Sequence, residues 1–355
     1  MSIMDKLKKS GRIGYASTLT ESIIMDKDEI STDIYALNIV LSGSLKGGMK
    51  SGMTMLAGES RSFKTNFALM CAKAYLDKYD DAVLIFYDSE MGATQDYFKS
   101  AGIDTDRVLY VPITDIEEFH FDIVDRLDKI ERGDHVMIIL DSLGNIASKK
   151  EVEDALQAKS TRDMSRSQAI ASLMRQTVPK LNLKDIPMVV INHVYQTQDV
   201  FAKTVVSGGQ KPTLNSDNII RITKSKNKTG NELSGFNFTL IVDKSRYSKE
   251  GLKIPVTVNF DSGIMKWSGL IDLALEYGII SKPSNGWYQK VDMSTGEVEP
   301  KKYRLSDTNN QQFWEPIIND SGFNEWIVEQ CSISTGKKLL SETEAEKSSL
   351  VDYDE

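Results

Sequence analysis

One short segment of the chain has residue types and spacing suited to binding phosphate. It reads Gly58-Glu59-Ser60-Arg61-Ser62-Phe63-Lys64-Thr65. In a P-loop the lysine reaches the terminal phosphates, the threonine hydroxyl holds Mg²⁺, and the first amides of the next helix point at the anion. Because Phe63 replaces the usual second glycine, we expect its backbone to stay right-handed and its ring to point away from the phosphates. An ordinary strand–helix turn that contains Lys-Thr is the competing interpretation.

Polar side chains also follow three other predicted strands. Asp141 ends a run of aliphatic residues, as a Walker-B aspartate does, and would hold Mg²⁺ through water opposite Thr65; a helix cap is its alternative role. Glu90 can polarise a water for attack on the γ-phosphate, with Asp88 as its nearest competitor, although a lone strand-end glutamate is more often ion-paired. His193 can donate a hydrogen bond to the γ-phosphate or be a structural side chain.

Two long polar segments follow the strands that end near Asp141 and His193. The first, residues 148–166, carries both charge signs, and the second, residues 195–215, carries lysines, a phenylalanine and a glycine pair. Lysine and arginine neutralise phosphates, glycines permit close backbone approach, and an aromatic ring can wedge against bases. Both segments are therefore candidate DNA-binding loops, with a solvated flexible surface as the alternative. The candidate contacts are Arg162, Arg166, Phe201, Lys203, Gly208, Gly209 and Lys211.

Strands and helices that alternate from Ile34 to about Trp267 must position these side chains. Apolar runs predict strands at 82–87, 108–111, 136–140 and 187–191, and the three- and four-residue spacing of apolar side chains predicts an amphipathic helix at 116–130. This alternation predicts an α/β fold with a mainly parallel twisted sheet and helices on both faces. Strands without intervening helices, at 218–223, 236–243 and 254–260, predict antiparallel edge strands. Ligands bind beyond the carboxyl ends of parallel strands, so the polar residues there should converge.

Length and composition indicate a soluble, cytoplasmic protein. The 355 residues suggest about two domains, and 40% hydrophobic with 26% charged residues is ordinary for a globular chain. No uncharged apolar run is long enough to span a bilayer, and the basic N-terminus lacks the apolar part of a signal peptide. Cys71 and Cys331 lie outside any metal spacing and indicate thiols in a reducing cytosol. Because the net charge is −8, any DNA contact requires a local basic surface.

The chain divides into four predicted regions. Residues 1–32 form an N-terminal arm with a short basic helix, either a flexible tail or a segment that packs on a neighbouring subunit. Residues 33–267 form the α/β core, and residues 268–340 form a small α+β C-terminal domain. Residues 341–355 are acidic and polar, so we expect a disordered tail.

In combination, these motifs resemble the RecA family of recombinases, and within it the T4-type phage branch. The resemblance runs from about residue 30 to about residue 315. Besides the P-loop segment, it rests on Phe86-Tyr87-Asp88-Ser89-Glu90, Asp141-Ser142-Leu143-Gly144-Asn145, Ile191-Asn192-His193 and Val242-Asp243-Lys244-Ser245-Arg246. The phage branch also carries phenylalanine before the P-loop lysine, so the departure at Phe63 marks kinship. The fold implied is a RecA-like P-loop NTPase core.

The resemblance also implies roles for single residues. Glu90 matches the glutamate that activates the attacking water, and Tyr97 matches the aromatic that stacks on adenine. His193 stands where bacterial relatives have a glutamine that senses the γ-phosphate. Lys244 and Arg246 match a basic pair that reaches across the subunit interface to the neighbour's ATP. The two polar segments match the DNA-binding loops, Arg175 matches an arginine that contacts the DNA backbone, and the arm resembles one that docks on the adjacent protomer.

The function implied is ATP- and Mg²⁺-dependent DNA strand exchange in recombination, repair and recombination-dependent replication. The expected partners are single-stranded DNA, double-stranded DNA and further copies of the chain in a helical filament, with a single-strand-binding protein and a recombinase-loading mediator; no membrane is expected. For a phage protein the compartment is the host cytoplasm. A hexameric DNA helicase motor and a non-hydrolysing ATP-binding mediator are the alternatives, and a small-molecule kinase is a weaker one.

Overall fold

A ten-stranded mixed sheet is the largest element of the computed structural model, which describes residues 2–157, 165–196, 204–207, 210–230 and 232–333. The strands are β1 (Glu29–Ile30), β2 (Met49–Lys50), β3 (Gly52–Gly58), β4 (Val83–Asp88), β5 (Val108–Pro112), β6 (Val136–Asp141), β7 (Pro187–Gln196), β8 (Thr204–Val206), β9 (Asn218–Thr229), β10 (Glu232–Lys244), β11 (Lys253–Asn259), β12 (Gly263–Ile264), β13 (Ile280–Ser284), β14 (Trp287–Lys290) and β15 (Tyr303–Arg304). The α-helices are α1 (Ile3–Ser10), α2 (Tyr35–Ser42), α3 (Lys64–Lys78), α4 (Gln95–Ser100), α5 (Ile116–Lys129), α6 (Lys149–Leu156), α7 (Ser165–Lys184), α8 (Gln210–Asn215), α9 (Leu270–Tyr277), α10 (Gln311–Ile318) and α11 (Ser321–Cys331).

The order of the strands confirms the predicted mixed sheet. Along the sheet the order is β12-β11-β10-β9-β3-β7-β6-β4-β5, and β8 pairs with β7. The neighbours from β9 to β5 run parallel, whereas β10, β11 and β12 are antiparallel. All seven residues of β3 are buried, as expected for a central strand covered on both faces. The carboxyl ends of β3, β7, β6 and β4 therefore lie side by side at one edge, here called the carboxyl edge.

Two apolar clusters cover the two faces of the sheet. One joins α2, α3 and the C-terminal helices α9, α10 and α11, with Phe67 and Trp314 fully buried. The other packs α5 and α7 on the opposite face, where Ile116, Phe119 and Leu127 are buried as the predicted amphipathic helix requires. Because the first cluster is continuous, the C-terminal region packs directly on the core.

The two long polar segments are more ordered than expected. The first begins with α6, which starts in a capping box: the Ser148 hydroxyl accepts from the Glu151 amide, and the Glu151 carboxylate accepts from the Ser148 amide. In the second, β7 continues to Gln196, β8 pairs with it, and α8 follows. These described parts are therefore regular secondary structure, because local capping and strand pairing satisfy their backbone groups. Their role as DNA-binding loops stays a prediction.

The N-terminal arm is tied to the core over its second half. Arg132 Nη2 donates to the carbonyls of Ile23 (2.7 Å) and Asp26 (3.1 Å), and Lys27 Nζ donates to Asn182 Oδ1 at 2.5 Å. Helix α1 lies before this attachment and has no buried residue. Its apolar side chains, such as Leu7 at 61% exposure, remain uncovered in the single chain. In the part of the chain that the structure describes, no helix has the length and apolarity needed to cross a bilayer.

Candidate functional site

The P-loop segment lies where β3 ends and α3 begins, as predicted. A Cβ on Gly58 would lie 2.6 Å from Ser62 Oγ and 2.7 Å from the Ile222 carbonyl oxygen, so this position requires glycine. Lys64 Nζ folds back onto the loop and donates to the carbonyls of Gly58 (3.1 Å) and Glu59 (2.7 Å). Burial lowers the pKa of Lys64, against the opposing effect of Asp141 and Glu90. The loop thus holds a buried cation with neutral carbonyl partners, an environment that favours an anion.

The backbone of Phe63 corrects one expectation. Its φ of 67° and ψ of 17° are left-handed, and Arg61 is also left-handed with a φ of 60°. The ring stacks on Phe238 of β10 at 5.1 Å and meets Phe67 of α3 edge-on at 5.5 Å. The turn imposes the backbone geometry that glycine adopts freely, at about 1–2 kcal/mol for another residue. Aromatic packing of about 0.5–1.5 kcal/mol per pair offsets this cost.

Thr65 and Asp141 form the candidate magnesium site. Thr65 Oγ1 donates to Asp141 Oδ2 at 2.7 Å, which joins the start of α3 to the end of β6. Burial raises the pKa of Asp141 to about 6; the Thr65 hydrogen bond opposes this rise, and the charges of Glu90 and Asp88 add to it. Among the described residues no group of three His, Cys, Asp or Glu side chains could hold a metal ion. A hydroxyl and one carboxylate fit Mg²⁺ whose remaining ligands are phosphate and water.

Glu90 is held at the carboxyl edge by three side chains. Its Oε1 accepts from Asn145 Nδ2 at 2.6 Å and from Ser142 Oγ at 3.1 Å, and it lies 3.3 Å from His193 Nε2. The side chain is 44% exposed, so a water can reach it. Asp88, the competing base candidate, is buried, and its Oδ1 accepts from the Glu90 amide at 2.9 Å. Asp88 therefore shapes the turn that presents Glu90.

His193 lies beside the P-loop at the root of the second polar segment. The register of β3 and β7 places Gly58 opposite His193. The returning chain closes on the same point, because Ser207 donates its amide to the His193 carbonyl at 2.8 Å and Asn192 Nδ2 donates to the Ser207 carbonyl at 2.8 Å. His193 is therefore adjacent both to the P-loop segment and to the second polar segment.

Tyr97 lies on α4, next to α3. Its hydroxyl donates to Asn66 Oδ1 at 2.6 Å, and burial raises its pKa to about 12. The phenol is therefore neutral and fixed one residue away from Thr65 along α3. Its stacking on adenine stays a prediction.

Lys244 and Arg246 lie away from the P-loop, toward the opposite, amino edge of the sheet. Lys244 Nζ donates to the carbonyls of Thr213 (3.0 Å) and Leu214 (2.9 Å), and burial lowers its pKa. Arg246 Nε contacts Asp217 Oδ1 at 2.6 Å, and Asp217 Oδ2 accepts from the Met53 amide at the start of β3. Through Ile219 of β9, Lys244 is level with Met55, the middle residue of β3, whereas the Arg246 contact lies beside Met53, about 16 Å before Gly58 along β3. With these hydrogen-bond partners, neither side chain contacts the P-loop of its own chain.

The predicted DNA contacts have different settings. Arg166 donates to the carbonyls of Ile146 (2.7 Å), Leu143 (3.0 Å) and Gly144 (3.0 Å), so most of its guanidinium is engaged within the chain. Arg175 on α7 and Lys211 on α8 are exposed. Their DNA contacts stay predictions. The other candidates lie outside the described residues: Arg162, Phe201, Lys203, Gly208 and Gly209.

The β9–β10 hairpin carries a basic surface that the sequence analysis missed. Lys224, Lys226 and Lys228 alternate along β9, are exposed, and point to one side of the strand. Lys224 Nζ lies 3.6 Å from the centroid of the Phe236 ring and 3.3 Å from the Arg61 carbonyl oxygen of the P-loop. We call these three lysines the hairpin lysines. The two-residue spacing of lysines on a predicted strand is the signal that could have found them.

Two cavities bear on the assignment of the site. One of about 150 Å³ borders the P-loop and is lined by Glu59, Ser60, Ser62, Val194, Arg221, Ile222, Thr223 and Lys224. A larger one of about 400 Å³ lies at the amino edge, between the end of α3 and the attached part of the arm, and touches no P-loop residue. The smaller cavity is the one that adjoins the phosphate-binding chemistry.

Comparison with known proteins agrees with this geometry. The RecA N-terminal domain family matches residues 2–265, and the family described as bacteriophage T4 recombination and repair protein, C-terminal domain, matches residues 267–327. The recombination and repair protein of Enterobacteria phage T4 is 44% identical over 330 residues, which cover 92% of this chain and 84% of that protein. Protein RecA of Malacoplasma penetrans is 24% identical, over 87% of this chain and 91% of its own length. Protein RecA of Aquifex pyrophilus is 26% identical, over 73% and 74%. The chain therefore belongs to the RecA family, in the branch of the T4 recombination and repair protein.

Proposed function

We propose that this protein is a recombinase that hydrolyses ATP while it exchanges DNA strands. It forms helical filaments on single-stranded DNA and pairs that strand with homologous duplex, in recombination, repair and recombination-dependent replication. Membership of the RecA family supports nucleotide binding and a recombination role. The cofactors are ATP and Mg²⁺, and a single-strand-binding protein and a loading mediator are the further partners.

The observation that carries the proposal is the separation of two functional groups onto opposite edges of one sheet. The P-loop is at the carboxyl edge, whereas Arg246 contacts Asp217 beside Met53, about 16 Å before Gly58 along β3. Lys244 lies level with Met55 and is held by two carbonyls of α8. A basic pair that serves a γ-phosphate must therefore come from another copy of the chain. Contact between unlike edges is heterologous and generates a ring or an open helix. The uncovered α1 and the proposed arm (residues 1–32) fit the same head-to-tail assembly.

At the nucleotide site each residue has one proposed task. Lys64 binds the β- and γ-phosphates together with the amides of residues 58–65, and Tyr97 stacks on adenine. Mg²⁺ held by Thr65 and Asp141 would neutralise phosphate charge when bound. Glu90, fixed through Oε1, accepts a proton from the attacking water at its other oxygen. His193 donates to the γ-phosphate and links it to the second DNA loop.

DNA is proposed to lie along the carboxyl edge. The two loop segments, Arg175 and Lys211 hold the single strand, together with Arg162, Phe201, Lys203, Gly208 and Gly209. The hairpin lysines extend past the P-loop, because β9 continues seven residues beyond Ile222, the partner of Gly58. Their spacing gives a row of phosphate contacts, which we assign to the duplex partner.

The four regions remain part of the proposal. They are the arm at 1–32, the core at 33–267, the small C-terminal domain at 268–340 and the acidic tail at 341–355, the last of which lies outside the described residues. The meeting of the two matched families between residues 265 and 267 supports the second boundary.

The decisive experiment measures ATP turnover with and without single-stranded DNA, with electron micrographs of the same samples. Lys64→Ala should abolish turnover, because the loop loses its only lysine ligand for phosphate. Glu90→Ala should retain ATP binding and trap a DNA-bound filament. Closed rings with duplex unwinding would instead support a helicase, and DNA-independent ATP binding without turnover would support a mediator. Wild-type turnover by Glu90→Ala would refute the assignment of the base.

A further inference from the structure

One short turn, residues 142–146, holds the Glu90 carboxylate. Ser142 Oγ and Asn145 Nδ2 both donate to Glu90 Oε1, at 3.1 Å and 2.6 Å, and His193 Nε2 lies 3.3 Å from the same oxygen. Two of these three groups therefore come from the turn that follows β6. Because all three act on Oε1, they leave Oε2 as the oxygen that can face a water.

The turn itself is clamped by an arginine from the other end of the first DNA loop. Arg166 Nε donates to the Ile146 carbonyl at 2.7 Å, and Nη2 donates to the Leu143 and Gly144 carbonyls, each at 3.0 Å. Arg166 is the second residue of α7, the helix into which that loop runs. A lysine cannot reproduce this fork, because it presents one nitrogen where arginine presents three.

The turn also packs tightly on β7, beside Asn192 and His193. A Cβ on Gly144 would lie 3.0 Å from His193 Cδ2 and 3.1 Å from Asn192 Oδ1. A movement of the turn would therefore displace His193 as well as Glu90.

We propose that Asn145 is a positioning residue for the Glu90 carboxylate and that Arg166 couples its placement to the first DNA loop. The inference rests on the proposed function and adds to it a route from that loop to ATP hydrolysis. Asn145 orients Oε2 toward the attacking water, and Arg166 keeps Asn145 in place. Arg166 thereby acts on turnover through the turn, in addition to any contact with phosphate.

The test compares steady-state ATP turnover, with and without single-stranded DNA, in wild type, Asn145→Ala and Arg166→Lys. Loss of a hydrogen bond to a charged group predicts that Asn145→Ala lowers kcat about tenfold. The KM for ATP and the affinity for a non-hydrolysable ATP analogue should stay at the wild-type values, because the Asn145 side chain donates its hydrogen bond to Glu90 and not to the P-loop. Asn145→Asp, similar in size but without the donor, should be at least as slow. Arg166→Lys should lower the stimulation of ATP turnover by single-stranded DNA. In the double variant, kcat should fall by less than the product of the two single-variant reductions, because both residues act through the same turn.

Arg107→Lys is the matched control. The Arg107 guanidinium also donates to three carbonyls, those of Ala82, Leu76 and Tyr79, but at the amino edge. It should share any loss of thermal stability with Arg166→Lys and leave kcat unchanged. A kcat for Asn145→Ala within about twofold of wild type would overturn the inference while leaving the proposed function intact. An inactive wild type would overturn both, and multiplicative effects of Asn145→Ala and Arg166→Lys would remove Arg166 from the route.

Discussion

Mixing two inactive variants tests whether the two edges of the sheet meet between copies of the chain. One variant, Lys64→Ala, damages the carboxyl edge, and the other, Arg246→Gln, damages the amino edge. Glutamine at 246 retains a donor for Asp217, which is only 5% exposed and would be left unpaired by alanine. Each variant alone should have little turnover, because loss of a transition-state arginine costs about 10³–10⁵-fold.

The geometry fixes the size of the recovery. Since about 16 Å of β3 separates the Arg246–Asp217 contact, beside Met53, from Gly58, each proposed nucleotide site takes its P-loop from one copy and its arginine from the next. In a random equal mixture, about one quarter of the interfaces then join two undamaged edges. The mixture should therefore reach about one quarter of the wild-type ATP turnover, at the same total protein concentration.

The assay is DNA-dependent ATP turnover at a series of mixing ratios. Recovery should peak at equal amounts and fall symmetrically on either side, because it follows the product of the two fractions. Lys64→Ala mixed with Thr65→Ala is the control, since both variants damage the same edge and should show no recovery. A mixture that gives only the average of its two components would refute the assignment of Arg246 to a neighbour's site.

Two further predictions follow from charges at the carboxyl edge. Burial raises the pKa of Asp141 from 3.8 to about 6, so the folded chain carries this charge at a cost above pH 6 and at none below pH 4. Asp141→Asn should therefore raise the free energy of unfolding of the nucleotide-free protein by up to about 3 kcal/mol at pH 8, as measured by thermal unfolding. At pH 4 the variant and the wild type should be equally stable. An equal increase in stability at pH 4 and pH 8 would refute burial of the charge as the cause. Lys226→Gln with Lys228→Gln should weaken duplex binding and reduce the magnitude of its log–log salt slope by about 1.8, leaving single-strand binding unchanged. The control variant, Lys129→Gln with Lys180→Gln, removes the same charge from another surface. It should change neither the affinity for duplex DNA nor the salt slope.

The carboxyl-edge site was predictable from sequence because it depends on a topological rule. Thr65, Glu90, Asp141 and His193 come from segments spread over 129 positions, yet all lie near the carboxyl edge. Asp141 ends β6 and Glu90 follows β4 by two residues, while His193 lies opposite the last residue of β3 and Thr65 lies in the first turn of the helix after β3. In the sequence, the end of a strand is marked by a change from apolar to polar residues. Parallel pairing of the strands then brings these ends to one edge of the sheet. No side-chain geometry is needed for that step.

The backbone of Phe63 was not predictable by the same means. The loop requires a positive φ there, and the ring finds its partner on β10, 175 residues later in the chain. The intrinsic preference of a phenylalanine backbone is the right-handed region, and the expectation was based on that preference alone. It left out the tertiary contact with β10 that stabilises the left-handed backbone. The hairpin lysines were missed for a different reason, because their alternation carries meaning only once β9 is known to extend past the P-loop.

Three arginines in the described part of the chain act as clamps on backbone carbonyls, and this changes which cations should contact DNA. Arg107, Arg132 and Arg166 each donate to three backbone carbonyls, a use to which the guanidinium fork is suited. A net charge taken from composition includes these three arginines, although their N–H donors already bind backbone carbonyls within the chain. The exposed Arg175 and the hairpin lysines have no comparable clamp role among the described contacts, so they should carry more of the salt dependence of DNA binding than Arg166 does. Arg166 should instead be recognised by its effect on ATP turnover, because its hydrogen bonds lead through the turn to Glu90.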